Sequence, residues 1–363
     1  MSACGLDGTA VQCLAHADWV QLKCLCLENN FDLGYQAAAY LTQANWPLLK
    51  DLNVYLTNIP ISSLFVGRWP QLESLKLGYF DAGRADVAPT LSTTHAEHLQ
   101  TVPPTVMWHC IKTLDWYGMN VDVSTVTQLA AQEWPFLQCV RLMSCRAAAE
   151  DTETFMHKMK WPLLRILELD NIELGEVHNG YGAEEVCSVL SSAHLASLTD
   201  LNLSLAYMRN GAMTELMQGN WTNLRRLSLS NNYVNAPAVA HLVEASLPNL
   251  EELSLMNSLF EDIEEAVAQL SKGKWPLLRA LDLQADELSC FLNVHCVTCL
   301  LGGDWPLLES LFLSTEDLKA VAVLLSGSSV LFGEINARCW TAAGRGPPKW
   351  PCLNVVIFQQ GWR

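Results

Sequence analysis

Apolar positions along the chain recur in one register. A Trp, usually followed by Pro, is succeeded by apolar residues three, six and eight positions later. Trp46 is followed in this way by Leu49, Leu52 and Val54, Trp161 by Leu164, Leu167 and Leu169, and Trp275 by Leu278, Leu281 and Leu283. The same spacing begins at Trp19, Trp69, Trp108, Trp134, Trp221, Trp305 and Trp350, and Leu195 and Leu247 serve as two further anchors. Twelve units result, and ten of the thirteen Trp are absorbed by one structural rule. Most anchors lie 23 to 30 residues apart, the period of one short strand and one return segment. The alternation Leu227-Ser228-Leu229-Ser230 predicts a strand with one buried face. The stretch from Asp262 to Leu270 places Ile263, Ala266, Val267 and Leu270 at helical spacing, which predicts an amphipathic return helix. The Trp-Pro step then ends the helix, because Pro disfavours helical geometry in the residue before it.

The segment Leu224-Arg-Arg-Leu-Ser-Leu-Ser-Asn-Asn232-Tyr-Val234 resembles the Leu-x-x-Leu-x-Leu-x-x-Asn-x-Leu pattern of the leucine-rich-repeat family, in its ribonuclease-inhibitor-like, strand-and-helix branch. The resemblance runs over residues 19 to 363. It implies an α/β solenoid of about twelve repeats, a curved horseshoe with a parallel sheet on the concave face and mostly helices on the convex face. The family's Asn, which satisfies backbone groups in the turn after each strand, is present at Asn30 and Asn232. Equivalent positions hold Thr57, Phe80, Met119, Cys145, Ile172, Ala206, Ser258, Asp286 and Glu316. Irregular turns are expected where an apolar side chain stands at this place.

Residues 1–18 are expected to be an N-terminal cap or lead-in, and residues 19–363 a single repeat domain. Longer spacings mark insertions near 81–107, 170–194 and 328–349, the first with Pro103-Pro104, the second with Asn179-Gly-Tyr-Gly182 and the third with Gly344-Arg-Gly-Pro-Pro-Lys349. Each reads as a loop or enlarged return segment. After the last strand, from Asn354 to Gln359, no helix returns, and Trp340 and Trp362 are candidates to cover that edge.

Residues five, seven and nine after each anchor should point out of the core on the strand face. They include Asp51, Asn53 and Tyr55, Thr113, Asp115 and Tyr117, Arg141 and Met143, Glu168 and Asp170, Asp200 and Asn202, Arg226 and Ser228, Glu252 and Met256, Asp282 and Gln284, and Phe312. On that face Glu28, Asp51, Asp115, Glu168, Asp170, Asp200, Glu252 and Asp282 oppose Lys76, Arg141 and Arg226, eight acids against three bases. The expected ligand of so extended a surface is another protein, basic in character, with Tyr55, Tyr117 and Phe312 as aromatic anchors. Acids also keep a strand face soluble, and aromatics suit a sheet for their own sake.

Charge sharpens this picture. The chain of 363 residues carries 38 Asp and Glu against 22 Lys and Arg, a formal −16, which disfavours nucleic acid or an anionic membrane as partner. No apolar run reaches the roughly 20 residues a membrane helix needs, and the first residues lack the order of a signal peptide. Thirteen Cys scattered from Cys4 to Cys352 fit a reducing, cytoplasmic setting better than a secreted disulfide framework.

Chemistry-bearing clusters are few. Cys296-x-x-Cys299, with Cys290 and His295, has a metal or redox spacing, but its neighbours read as an apolar helix in which Cys packs as a small core residue. Cys24 and Cys26 should share the strand face, and His95 and His98 lie together in the first insertion. Gly344-Arg-Gly346 lacks the Lys-Ser/Thr ending of a phosphate loop. A non-enzymatic protein-binding scaffold without cofactor or metal is the expected function. The repeat resemblance leaves two alternatives. One is a substrate receptor for an F-box-type ubiquitin ligase, although only 18 residues precede the first unit. The other is a GTPase-activating protein of the Ran-activating type, although that family's acidic tail is not matched and Arg84 would be an arbitrary choice of catalytic residue.

Overall fold

The structure is a computed structural model and describes residues 1–59, 64, 66–78, 108–118, 120–121, 134–144, 146–147, 161–171, 173–174, 181–192, 195–259, 262–285, 292–315, 339–343 and 354–358. The insertion at 81–107, with Arg84, His95 and His98, lies outside these residues. So do Phe80, Met119, Cys145, Ile172, Asp286, Cys290, Glu316, Trp350 and Trp362. The chain divides into two compact units, 1–166 and 167–363.

The first unit contains α1 (Gly8–His16), β1 (Cys24–Cys26), α2 (Tyr35–Gln43), β2 (Asp51–Val54), β3 (Ser74–Gly78), β4 (Thr113–Tyr117), β5 (Asn120–Val121), β6 (Cys139–Met143) and β7 (Arg146–Ala147). Its sheet runs β1-β2-β3-β4-β6, every pair parallel, with Leu52, Leu75, Leu114 and Val140 in one register. A second parallel pair, β5 with β7, forms in the returns.

The division falls within β8 (Ile166–Glu168). The second unit then continues with β9 (Glu173–Leu174), α3 (Tyr181–Ser192), β10 (Asp200–Asn202), α4 (Asn210–Met217), β11 (Arg226–Ser228), α5 (Ala236–Glu244), β12 (Glu252–Ser254), α6 (Ile263–Leu270), β13 (Ala280–Leu283), α7 (Val294–Gly302), β14 (Ser310–Ser314), β15 (Cys339–Ala343) and β16 (Asn354–Phe358). Its sheet runs β8-β10-β11-β12-β13-β14-β16-β15. Helices α3 to α7 pack one on the next.

Every one of the twelve anchors is followed by a strand of this ladder, as the register predicts. Each repeat from Trp19 to Trp305 opens with a tight turn in which the anchor's carbonyl accepts a bond from the N–H three residues on, 3.1 Å for Trp46 and Leu49 and 3.0 Å for Trp305 and Leu308. Pro after Trp occupies the second position of that turn, where its fixed φ is already correct. The Trp anchors from Trp46 to Trp305 are buried: Trp46, Trp69 and Trp305 are fully covered, and indoles of successive repeats stack, Trp69 on Trp108 at 6.1 Å and Trp275 on Trp305 at 6.2 Å. Trp19 departs from the pattern at 38% exposure, and the Leu195 anchor is half-buried.

Two features of the repeat escaped the sequence reading. One is a Gly two places before the anchor. A Cβ on Gly273 would lie 2.5 Å from the Trp275 ring, and Gly67, Gly219 and Gly303 are just as tightly placed against Trp69, Trp221 and Trp305. The Gly carbonyl also takes the next repeat's indole, with Trp108 Nε1 donating to Gly67 at 3.2 Å and Trp305 Nε1 to Gly273 at 3.0 Å. The other is the residue ten places after the anchor, which is left-handed at Asn29, Leu56, Gly118, Ser144, Asn171, Leu205, Asn231 and Asn257. Its N–H turns to the next strand, as from Asn231 to the Met256 carbonyl at 2.7 Å. Asn and Gly tolerate that conformation, whereas Leu56 and Leu205 hold it at a steric cost.

The Asn ladder is real where Asn is present. Asn232 is fully buried, accepts from Met208 N at 2.9 Å and donates to the carbonyls of Leu203 and Leu229. Ser258 takes over in the next repeat, accepting from Asn232 N and donating to Leu229 O. Asn30 is satisfied by the N-terminal segment, accepting from Cys4 N and Leu6 N and donating to Met1 O.

The third insertion is more than a loop. Within it β15 pairs antiparallel with β16, Trp340 opposite Ile357, so β16 is not the edge of the sheet. Trp340 sits in a covering strand, which alternation over so short a stretch could not announce.

Candidate functional site

Alternation along each strand sends one row of side chains into the core and leaves the next on the sheet face. In the first unit the face carries Asp51, Asn53 and Tyr55 from β2 and its end, Lys76 from β3, Thr113, Asp115 and Tyr117 from β4, and Arg141 and Met143 from β6. Cys139, five places after Trp134, breaks the rule and is buried, at 7% exposure. Lys76 Nζ lies 3.8 Å from Asp115, a long pair in which the lysine is exposed and the carboxylate partly buried, and Asn53 Nδ2 donates to Glu28 at 3.1 Å. Cys24 and Cys26 do share this face. Cys24 Sγ donates to Asp51 Oδ2 at 3.2 Å, and that bond raises the thiol's pKa, so it is held as the less nucleophilic, protonated form.

Tyr55 and Tyr117 meet edge to face, 5.6 Å between ring centres, although β3 lies between their strands. Gly78 makes this contact possible, since a Cβ there would sit 2.6 Å from the Tyr55 ring. The sequence reading named both tyrosines but not the glycine between them.

In the second unit the outward rows face one another across a groove of about 320 Å³. Glu168, Asp200, Asn202, Arg226, Glu252, Asp282 and Phe312 all line it, while Ser228, Ser254 and Ala280 form a floor of small residues. Register explains the grouping: Asp200, Arg226, Glu252 and Ala280 are direct neighbours on successive strands, and so are Asn202, Ser228, Ser254, Asp282 and Phe312. Arg226 Nε is bonded to Asp200. A line of hydroxyls crosses the strands, from Ser204 to Ser228 at 2.9 Å, Ser228 to Ser230 at 3.2 Å, Ser230 to Ser254 at 2.8 Å and Ser254 to Asp282 at 3.4 Å. Of its serines only Ser228 was among the expected face residues, because a small polar side chain on a strand carries little signal by itself.

Burial raises the pKa of Asp282, against bonds from Gln284 N at 3.1 Å and Ser254 that favour its charged form. Asp170 is raised by burial as well. The expected face residues are thus gathered into two separate sets, one in each unit. The first holds Glu28, Asp51 and Asp115 against Lys76 and Arg141, a formal −1. The second holds Glu168, Asp170, Asp200, Glu252 and Asp282 against Arg226, a formal −4.

The Cys cluster is part of the core on its described side. Cys296 is buried in α7 beside Val297 and Leu300, and its thiol is raised by burial. Cys299 Sγ lies 3.7 Å from the exposed His295 Nε2. Asn293 caps the helix through His295 N and Cys296 N, both at 3.0 Å.

No protein-family model and no curated protein matches the chain. Among solved structures it is similar to the Rad7 and Elc1 complex of yeast, at 14% identity over 86% of this chain and 80% of that chain, TM-score 0.42. It is similar to TLR13 in its complex with ssRNA13, at 18% identity over 80% of this chain and 45% of that one, TM-score 0.34. An internalin, inlF, from Listeria monocytogenes gives 14% identity over 83% and 71%, TM-score 0.37. At such identities the likeness is one of fold alone. The repeated register, the strand it makes in all twelve units and the ladder of parallel strands give this chain the architecture of a leucine-rich-repeat solenoid.

Proposed function

We propose that the protein is a non-catalytic scaffold that binds a basic partner protein on the outward face of its repeat sheet. The observation that carries this reading is the second unit's groove. Four carboxylates, those of Glu168, Asp200, Glu252 and Asp282, project there from β8, β10, β12 and β13 against the single guanidinium of Arg226, which Asp200 already neutralises. Like charges held side by side repel, and a cationic surface laid over them relieves that repulsion and is steered toward it. The strand face extends over many repeats at about 4.8 Å each, which suits a protein better than a small molecule. A reducing, cytoplasmic setting belongs to this proposal, and the free thiols of Cys4, Cys13, Cys24, Cys110, Cys187 and Cys296 accord with it.

The test is affinity capture with mass spectrometry from native lysate, comparing wild type with two variants of equal charge change. One carries Glu168→Gln, Asp170→Asn, Asp200→Asn and Glu252→Gln on the sheet face. The other carries Glu215→Gln, Glu244→Gln, Glu264→Gln and Glu265→Gln on the helices. A basic protein retained by wild type and helix variant but lost by the face variant is the expected result. Equal retention by all three, or equal loss by both variants, overturns the proposal.

A further inference from the structure

We propose that the Asp282–Phe312 corner of the second unit's groove is a subsite for one arginine side chain of the partner protein. This rests on the reading of the groove as a binding face and names what enters it. Asp282 and Phe312 are direct neighbours in the β13–β14 register, and both line the groove. Their side chains therefore stand side by side on one face, a carboxylate next to an aromatic ring. A planar guanidinium can lie on such a ring and turn its N–H fork to the adjoining carboxylate, and an ammonium, being a compact and strongly hydrated charge, gains less from the same corner.

Four further observations favour a cation here. Asp282 is a half-buried carboxylate whose bonds come from Ser254 and Gln284 N, both neutral groups. A buried charge without a counter-charge is stabilised most by the arrival of one. Arg226, the groove's only cation among the described residues, is bonded to Asp200, and β12 separates its strand from β13. Small side chains at Ser254 and Ala280, which neighbour Asp282 and Glu252 in register, leave room for a long side chain to descend to the floor. Glu252, exposed on the row beside Ala280, offers a second carboxylate at the rim.

The full-length protein, labelled with 4-fluorophenylalanine, provides the test. The Phe312 resonance is assigned by its loss in Phe312→Leu. Blocked pentapeptides with a central Arg, Lys or citrulline among glycines are the probes, titrated to about 10 mM because a single side chain is expected to bind in the millimolar range. The Arg peptide is expected to move the Phe312 signal, the Lys peptide to do so several-fold more weakly and the citrulline peptide not at all. Asp282→Asn, which keeps an acceptor for Gln284 N, is expected to weaken the Arg response at least about tenfold. Unchanged thermal unfolding or a rise in Tm shows that this variant folds.

An equal response to citrulline, a response unaffected by Asp282→Asn, or a still signal at the highest Arg concentration overturns the subsite. The two proposals fail separately. A partner captured through the face acids while the Arg peptide leaves Phe312 still removes the subsite and leaves the scaffold. Capture that ignores the face acids removes the scaffold whatever the peptide does.

Discussion

At the scale of single residues, close approach decides what each repeat tolerates. Gly273→Ala puts a methyl group where the Trp275 ring stands, and overpacking of this kind costs about 1–3 kcal/mol. Gly302→Ala, at the end of α7 with open space around it, is the control and is expected to be neutral or stabilising by up to ~1 kcal/mol. Urea unfolding of both variants checks the contrast. The left-handed position gives an opposite case. Leu205→Asn puts at this left-handed position a short polar side chain that can bond locally, and places an amide beside Asn231, which already accepts from Asn257 Nδ2 at 3.1 Å. A gain of about 1 kcal/mol is expected, read as a higher denaturant midpoint at unchanged slope. Asn232→Ala removes the acceptor for Met208 N and is expected to lose about 1–3 kcal/mol, with Asn232→Ser less harmful because Ser258 already fills the equivalent place.

At the scale of elements, charges on neighbouring strands act in opposite directions. Glu73 lies between Lys112 and Lys50, 2.7 Å from each, and their bonds hold its carboxyl at about 2, well below its ordinary 4.5. A depressed carboxyl stabilises the fold above its ordinary pKa and loses that effect as pH falls from 4.5 through about 2. Glu73→Gln should flatten the acid limb of a stability–pH curve, and because the group is partly exposed the effect should shrink in salt. Asp282 has the reverse sign. Its raised pKa means that stability present below the ordinary 3.8 is lost as pH rises through the raised value. Asp282→Asn should therefore raise Tm near neutrality and show no gain below about pH 3.8, measured by thermal unfolding across pH. A binding residue that weakens the free fold is a common compromise between stability and function.

At the scale of the molecule, the formal charge of −16 is unevenly used. The first unit's face is nearly balanced and carries the tyrosine pair, whereas the second unit's face is acidic and grooved. Association with a basic partner should slow as salt rises, since the screening length falls from ~10 Å at 0.1 M to ~3 Å at 1 M. Stopped-flow association rates of the captured partner across that range, with wild type and the second-unit face variant, are expected to converge at high salt. A salt-independent rate for wild type would contradict electrostatic steering.

The repeat was legible because it depends on local rules applied many times. Apolar residues at fixed offsets build strands and helices whose buried sides cannot be satisfied alone, so twelve weak signals in one register determine a stack. The same periodicity placed Asp51, Tyr55, Asp115, Tyr117, Arg141, Glu168, Asp170, Asp200, Asn202, Arg226, Glu252, Asp282 and Phe312 at outward positions of the strand face. Neighbourhood was decided elsewhere. Which outward residues touch depends on strand register, which brings residues some 26 to 30 positions apart into contact: Asp200 with Arg226, Ser254 with Asp282, Asp282 with Phe312. Burial of a carboxylate, a hydroxyl line across four strands and a glycine that lets two tyrosines meet all follow from that lateral packing. So does β15, whose place beside β16 comes from pairing rather than from any repeat. By itself, then, the sequence determined the strand after every anchor and, Cys139 apart, the side on which the residues named for the strand face stand, since both are properties of the local chain. Only the tertiary structure decided which of those residues form a site, because contact, desolvation and charge pairing exist only between strands.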